Sequence, residues 1–237
     1  MNARVEAVTV DAEKPAHRGV AAAIVGQFGN PRGLVGRLVG HVMAVNNRKR
    51  SAWVLSLLAL RETDRVLEVG FGPGADIRRV AQVAVKGLVV GVEHSKTMLS
   101  QASSRNCQFI SEGRVQLREG SAEHLPFAEN SCDKAFSINS VQFWNDLDQS
   151  FAEAARVLRP GGLLATAIRP RNAGADESTS REWGRRLAGH LQAAGFTRID
   201  VRLEPSSSVP AVCVLATNGK PLGYASTVPA RPPRKPL

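Results

Sequence analysis

Val66-Leu67-Glu68-Val69-Gly70-Phe71-Gly72-Pro73-Gly74 runs an apolar segment into three glycines within five residues. The β-branched and Leu side chains before Gly70 suit a buried strand. The glycines let the backbone turn sharply and bring it close to a ligand with no Cβ in the way. Residues 75–85 follow with helical spacing, so the stretch reads as strand, tight loop, helix. The glycine spacing is G-x-G-x-G rather than the G-x-G-x-x-G of dinucleotide binding. By itself it fits either a nucleoside cofactor site or a plain strand-to-helix turn.

The same rhythm extends to the C-terminal side. Apolar runs at 65–69, 88–92, 114–118, 134–138 and 163–168 predict strands, with helices over 75–85, 96–104 and 147–158. Strands this continuously apolar are expected where helices cover both faces of a sheet. Their alternation with helices predicts an α/β, doubly wound parallel sheet with right-handed crossovers. The end of the chain departs from this pattern. A helix over 180–194 stops at Gly195, a good residue to follow a helix end. Two strands, 197–203 and 211–217, then follow with only a short polar link, which predicts an antiparallel hairpin.

Toward the N-terminus the pattern is helical but broken. Leu34, Leu38, Val42 and Val45 recur at helical spacing, and Trp53, Leu57 and Leu58 continue a helix beyond Arg48-Lys49-Arg50. That basic trio reads as a solvated helical turn. The expected organisation is a loose arm over 1–18, an N-terminal helical lid over 19–60, a core over 61–218 and a Pro/Arg-rich tail over 219–237.

The 237 residues carry a formal net charge of +10. A basic chain raises the possibility of a nucleic-acid partner, because phosphate contacts release counterions. Residues 1–60 hold 8 Lys+Arg against 3 Asp+Glu, residues 61–169 hold 13 of each, and residues 170–237 hold 10 against 5. The surplus therefore flanks a neutral centre. Three scattered cysteines with no C-x-x-C pair suggest neither a zinc site nor a disulfide framework. With no apolar leader and no run long enough for a membrane span, the expected location is cytoplasmic.

Glu93 closes the second strand about 20 residues past the glycine loop, where a carboxylate can bind ribose hydroxyls. Gly120-Ser121-Ala122-Glu123 follows the third strand, and Arg159-Pro160-Gly161-Gly162 precedes the fifth. In order and spacing these four features resemble the class I S-adenosylmethionine-dependent methyltransferases, and most of all their ubiquinone/menaquinone-biosynthesis-like, small-molecule subgroup. The resemblance covers roughly residues 43–217. It implies a seven-stranded, mostly parallel Rossmann-like sheet with an antiparallel C-terminal strand, and S-adenosylmethionine as cofactor.

The resemblance also implies residue roles. Glu68, Gly70, Gly72 and Gly74 match the motif for the methionine end of the cofactor, and Glu93 matches the ribose acid. His94 and Met98 lie beside the adenine. Ser121, Ala122 and Glu123 match a segment usually written Gly-Asp-Ala-Glu, with Ser121 replacing the acid that takes the adenine amino group. Asn139 and Ser140 follow the fourth strand at the edge where open sheets bind ligands. Where the subgroup often has histidine, this chain has Gln142 and Trp144, which join Asn139 and His41 as candidate catalytic or substrate contacts. Phe28, Asn30, Arg32, Met43, Asn46 and Asn47 are candidate lid residues. No metal is implied.

The sulfonium methyl is already electrophilic, so transfer to O, N or C is an in-line displacement governed by alignment. The expected acceptor is a small molecule. One alternative is an RNA or protein methyltransferase gripping its substrate with the basic ends. It is disfavoured because Ser137-Ile138-Asn139-Ser140 lacks the Asn/Asp-Pro-Pro-aromatic pattern and because aromatics for base stacking are few. The other is a non-catalytic, cofactor-binding regulatory protein. Oligomeric state is not legible in the sequence.

Overall fold

The computed structural model describes residues 48–205 and 209–219. The expected arm, most of the expected lid and the tail beyond residue 219 lie outside them. The elements run α1 (Arg48–Leu57), β1 (Arg65–Val69), α2 (Ala75–Val83), β2 (Leu88–Glu93), α3 (Lys96–Arg105), α4 (Cys107–Ser111), β3 (Val115–Glu119) and β4 (Cys132–Ile138). A 3-10 turn (Val141–Phe143), α5 (Leu147–Val157), β5 (Leu158–Ile168), α6 (Glu177–Ala193), β6 (Phe196–Leu203) and β7 (Val212–Asn218) complete the order.

These strands form one seven-stranded sheet in the order β3-β2-β1-β4-β5-β7-β6. The first five are parallel. The expected hairpin is present, with β7 inserted antiparallel between β5 and β6. Strand parity sorts the side chains between two cores. Leu67, Val90, Ala135, Leu164 and Val214 point toward α5 and α6, packing with Phe151 and Leu187. Val66, Val89, Phe136, Ala165 and Cys213 point the other way, toward Val54 of α1 and Ile77 and Val80 of α2. Helix α1 is thus part of the core. The Arg48-Lys49-Arg50 turn is not wholly solvated as expected, because Arg50 is buried.

Local chemistry explains where the boundaries moved. α6 starts three residues before the expected 180 because Asp176 makes a capping box, its carboxylate accepting from Thr179 N at 2.9 Å. Gly195, at φ +86, follows its end as expected. β5 starts at Leu158 rather than 163. Its Arg159-Pro160-Gly161-Gly162 stretch bulges between the Cys132–Leu158 and Lys134–Leu163 pairs, with Gly161 at φ +75. The short α4 and the 3-10 turn fall where too few residues repeat to show a period.

The end of α5 is closed by a residue far along the chain. Asn218 Nδ2 donates to Ala155 O at 2.9 Å, Leu158 O at 2.7 Å and Arg159 O at 3.3 Å. Ala155 O lies in the last turn of α5 while Leu158 O and Arg159 O open β5, so one buried amide satisfies the junction where no further helical turn follows. Asn218→Ala therefore costs about 1–3 kcal/mol. The check is a lowered urea midpoint with an unchanged slope.

Candidate functional site

At the carboxyl ends of β1, β2 and β4 lies a pocket of about 350 Å³. The three glycines of the loop after β1 have positive φ for different reasons. A Cβ on Gly70 would sit 2.4 Å from Ser140 Cβ, so this glycine lets β1 and β4 close together. A Cβ on Gly74 would sit 2.6 Å from Ala102 Cβ, so this one lets α2 meet α3. A Cβ on Gly72 would meet nothing within 4 Å. Gly72 lines the pocket, and the space beside it is open to a ligand.

Glu93 is nearly buried and fastens this loop. Its Oε2 accepts from Gly72 N at 3.0 Å and its Oε1 from Ser95 N at 3.0 Å, while His94 Nδ1 lies 3.1 Å from Oε1. Oε2 retains capacity to accept from a ligand hydroxyl. Glu68 has the parity of Val66 and so faces α2. Burial pushes its carboxyl well above the usual carboxylate range, and neighbouring Asp76 and Glu93 push the same way. Its Oε2 is buried without a hydrogen-bond partner. Asp76 accepts from Ser51 Oγ at 2.7 Å and pairs with Arg79, which ties α1 to α2 at the pocket wall.

The opposite wall comes from the loops after β3 and β4. Glu123 Oε1 accepts from Asn145 N at 2.7 Å, which joins the two loops. Burial opposes ionisation of Glu123, but its own backbone N–H, the Ser121 hydroxyl, Asn145 and Asp146 outweigh burial and hold the carboxyl low. Asn139 adopts φ +55, uncommon for a non-glycine residue. Asn139 N donates to Ala167 O at 2.8 Å, and Arg169 N donates to Asn139 Oδ1 at 2.9 Å. Ser140 Oγ donates to Val69 O at 2.7 Å. Trp144 packs edge-on against Phe151, with ring centroids 5.6 Å apart.

Most of the expected residues meet here. Glu68, Gly70, Gly72, Glu93, His94 and Met98 line one side; Ser121, Ala122, Glu123, Asn139, Ser140 and Trp144 line the other. Gly74 serves packing. Gln142 does not line the pocket, because its Nε2 turns back to Asn139 O at 2.9 Å. His41 and the lid candidates Phe28, Asn30, Arg32, Met43, Asn46 and Asn47 lie outside the described residues. Sequence reasoning missed Ser51, Phe71, Asp76 and Phe143, which also line the pocket. Phe71 sits between two glycines already singled out, Asp76 comes two residues after Gly74, and Phe143 sits between Gln142 and Trp144. Ser51 had no signal. Among the described residues no His/Cys/Asp/Glu group is arranged to hold a metal ion.

Comparison with known proteins matches residues 67–166 to the methyltransferase domain family. The chain is 32% identical over 184 residues to the uncharacterized methyltransferase YdaC of Bacillus subtilis, covering 78% of this chain and 98% of that one. It is 33% identical over 131 residues to the ubiquinone/menaquinone biosynthesis C-methyltransferase of Syntrophotalea carbinolica, covering 55% of this chain and 53% of that one. The crystal structure of a SAM-dependent methyltransferase from Aquifex aeolicus shares the fold, with TM-score 0.59 and 22% identity over 70% of this chain and 88% of that one.

The buried Glu68 carboxyl makes stability pH-dependent with a defined sign. Its folded-state value is raised, so the folded chain holds this proton more tightly than the unfolded chain. The stability it contributes is present below the ordinary value near about 4.3 and is lost as pH rises through the folded value. Glu68→Gln, neutral throughout, matches wild type at low pH and becomes the more stable protein as pH rises. Paired urea melts from pH 4 to 8 test this, and a gap that stays flat or narrows refutes it.

Proposed function

This chain belongs to the class I, S-adenosylmethionine-dependent methyltransferases, and we propose that it transfers the cofactor's methyl group to a small-molecule acceptor by in-line displacement. The observation that carries this reading is the joint of Gly72 and Glu93, an open, Cβ-free approach beside a carboxylate anchored by backbone N–H groups. Glu93 Oε2 suits a ribose hydroxyl. The unpartnered Glu68 oxygen suits the cationic methionine end. The Ser121 hydroxyl donates to Glu123, which leaves its lone pairs to accept from an adenine amino group.

The donor group supplies an activated methyl, so the protein's work is alignment. Glu68 is assigned to the methionine end of the cofactor and Glu123 is tied to the next loop through Asn145, so neither is left to serve the acceptor as a base. This favours acceptors that ionise readily or are strongly nucleophilic when neutral, such as phenols and amines, over plain alcohols. Asn139 and Trp144 are assigned to the acceptor side, with Ser140 behind them. Only a short link joins Ile168 to Glu177, too little chain for a separate substrate domain. A lid over 19–60 is supported by Ser51, which brings α1 to the pocket wall; Phe28, Asn30, Arg32, His41, Met43, Asn46 and Asn47 are assigned to that lid. No helix among the described residues is long and apolar enough to cross a membrane. Three free cysteines suit the reducing cytoplasm.

Calorimetry with S-adenosylmethionine is expected to show saturable binding, with a rise in Tm that follows the ligand concentration. Gly72→Ala keeps Tm within a few degrees but loses cofactor affinity, whereas Gly74→Ala loses stability. Absence of binding at millimolar cofactor refutes the assignment. A methyl-transfer screen over phenols, quinones, amines, hydroxy acids and RNA is expected to find its substrate among the small molecules.

A further inference from the structure

The turn after β4 sends its three residues in different directions, because a 3-10 turn sets successive side chains about 120° apart. Val141 is buried in the core that contains Phe151. Gln142 bends back to Asn139 O at 2.9 Å. Phe143 is left to face the pocket, which it lines while 45% exposed. Its backbone is fixed, since Phe143 N donates to Ser140 O at 2.9 Å. Its ring is not engaged: among the described residues no aromatic or guanidinium group lies against it. Ile138 and Trp144, which come from the same stretch of chain, line the pocket with it and make this wall apolar.

The charged lining narrows what can meet that ring. Among the described residues the pocket holds four carboxyl groups, Glu68, Asp76, Glu93 and Glu123, and no lysine or arginine. An anionic ligand enters against like charge, with no ammonium or guanidinium to offset the loss of its water. A cationic acceptor gains little either, because these carboxylates are committed. Asp76 is held by Ser51 and Arg79, Glu93 by Gly72 and Ser95, and Glu123 by Asn145, while Glu68 is assigned to the cofactor.

We infer, on the methyltransferase reading, that Phe143 is the specificity-determining residue for the acceptor and that the acceptor is a neutral, phenol-type ring stacked on it. Aromatic rings that meet offset or edge-on gain more than the area they bury, and Phe143 is the uncovered ring in this pocket wall. The phenol oxygen gives a lone pair to the methyl carbon, the carbon–sulfur bond breaks with its electron pair passing to sulfur, and the phenolic proton goes to solvent. The products are an aryl methyl ether and S-adenosylhomocysteine.

Calorimetry on the full chain saturated with S-adenosylhomocysteine compares 2-naphthol, its saturated analogue decahydro-2-naphthol, and 2-naphthoate at neutral pH. 2-Naphthol is expected to bind most tightly and the anion most weakly. Phe143→Ala weakens 2-naphthol by about tenfold and removes most of its advantage over the saturated alcohol. Phe143→Trp, which keeps a ring, retains both. Equal 2-naphthol affinity in Phe143→Ala, no preference for the aromatic probe, or equally tight binding of 2-naphthoate overturns the inference. A loss in Phe143→Ala that falls on S-adenosylhomocysteine overturns it as well, by assigning the ring to the cofactor. So does a drop of several degrees in Tm with probe affinity intact, by assigning the ring to packing within the chain. Failure of S-adenosylhomocysteine to bind wild type overturns the methyltransferase reading instead, and the same titrations on the free chain still decide whether Phe143 receives a neutral ring.

Discussion

The Glu93 carboxylate decides how the ligand edge of the sheet is built. One of its oxygens accepts from Gly72 and the other from Ser95, so the loops that leave β1 and β2 are held by a single side chain. Gly70 N adds a direct link to Val92 O at 2.8 Å. Both loops are short and apolar at their roots, and a buried carboxylate is tolerated there because backbone donors replace its water. The rest follows from this clasp. With the glycine loop fixed, α2 starts at Ala75, brings Asp76 to Ser51 of α1, and closes one wall of the pocket.

Three glycines in one loop divide the work that a single motif suggests. Gly70 and Gly74 are packing residues, one against β4 and one against α3, and only Gly72 faces open space. The motif is therefore a tightly folded frame around one ligand-facing position. Its periodic glycines reflect the need to bring two neighbouring elements within van der Waals contact of a sharply turned chain.

What the sequence disclosed depended on range along the chain. The glycine loop, Glu93 and the segment around Ser121 were legible because each follows a strand, and position at a strand end is written in the local apolar rhythm. The antiparallel end was legible for the same reason. Glu68 as an acid at the pocket was legible; its preference for the neutral form was not, because that depends on the burial of its carboxyl beside Asp76. Gln142 looked like a site residue beside Trp144, yet a hydrogen bond to the backbone three residues earlier turns it away. Arg50 read as a solvated helix residue because its partner Glu204 lies more than 150 residues later. Asn218 carried no signal, since capping a distant helix end leaves no pattern around it. Pairings across the sheet escape a reading that moves residue by residue.

Helix α1 places Ser51 in the wall of the pocket, and the neighbouring Arg50 pairs with Glu204, the residue that follows β6. One helical turn therefore joins the ligand edge of the parallel strands to the antiparallel end of the sheet. The wall of the pocket is held from a part of the chain more than 150 residues away, so the last two strands help to shape a site to which they contribute no lining residue.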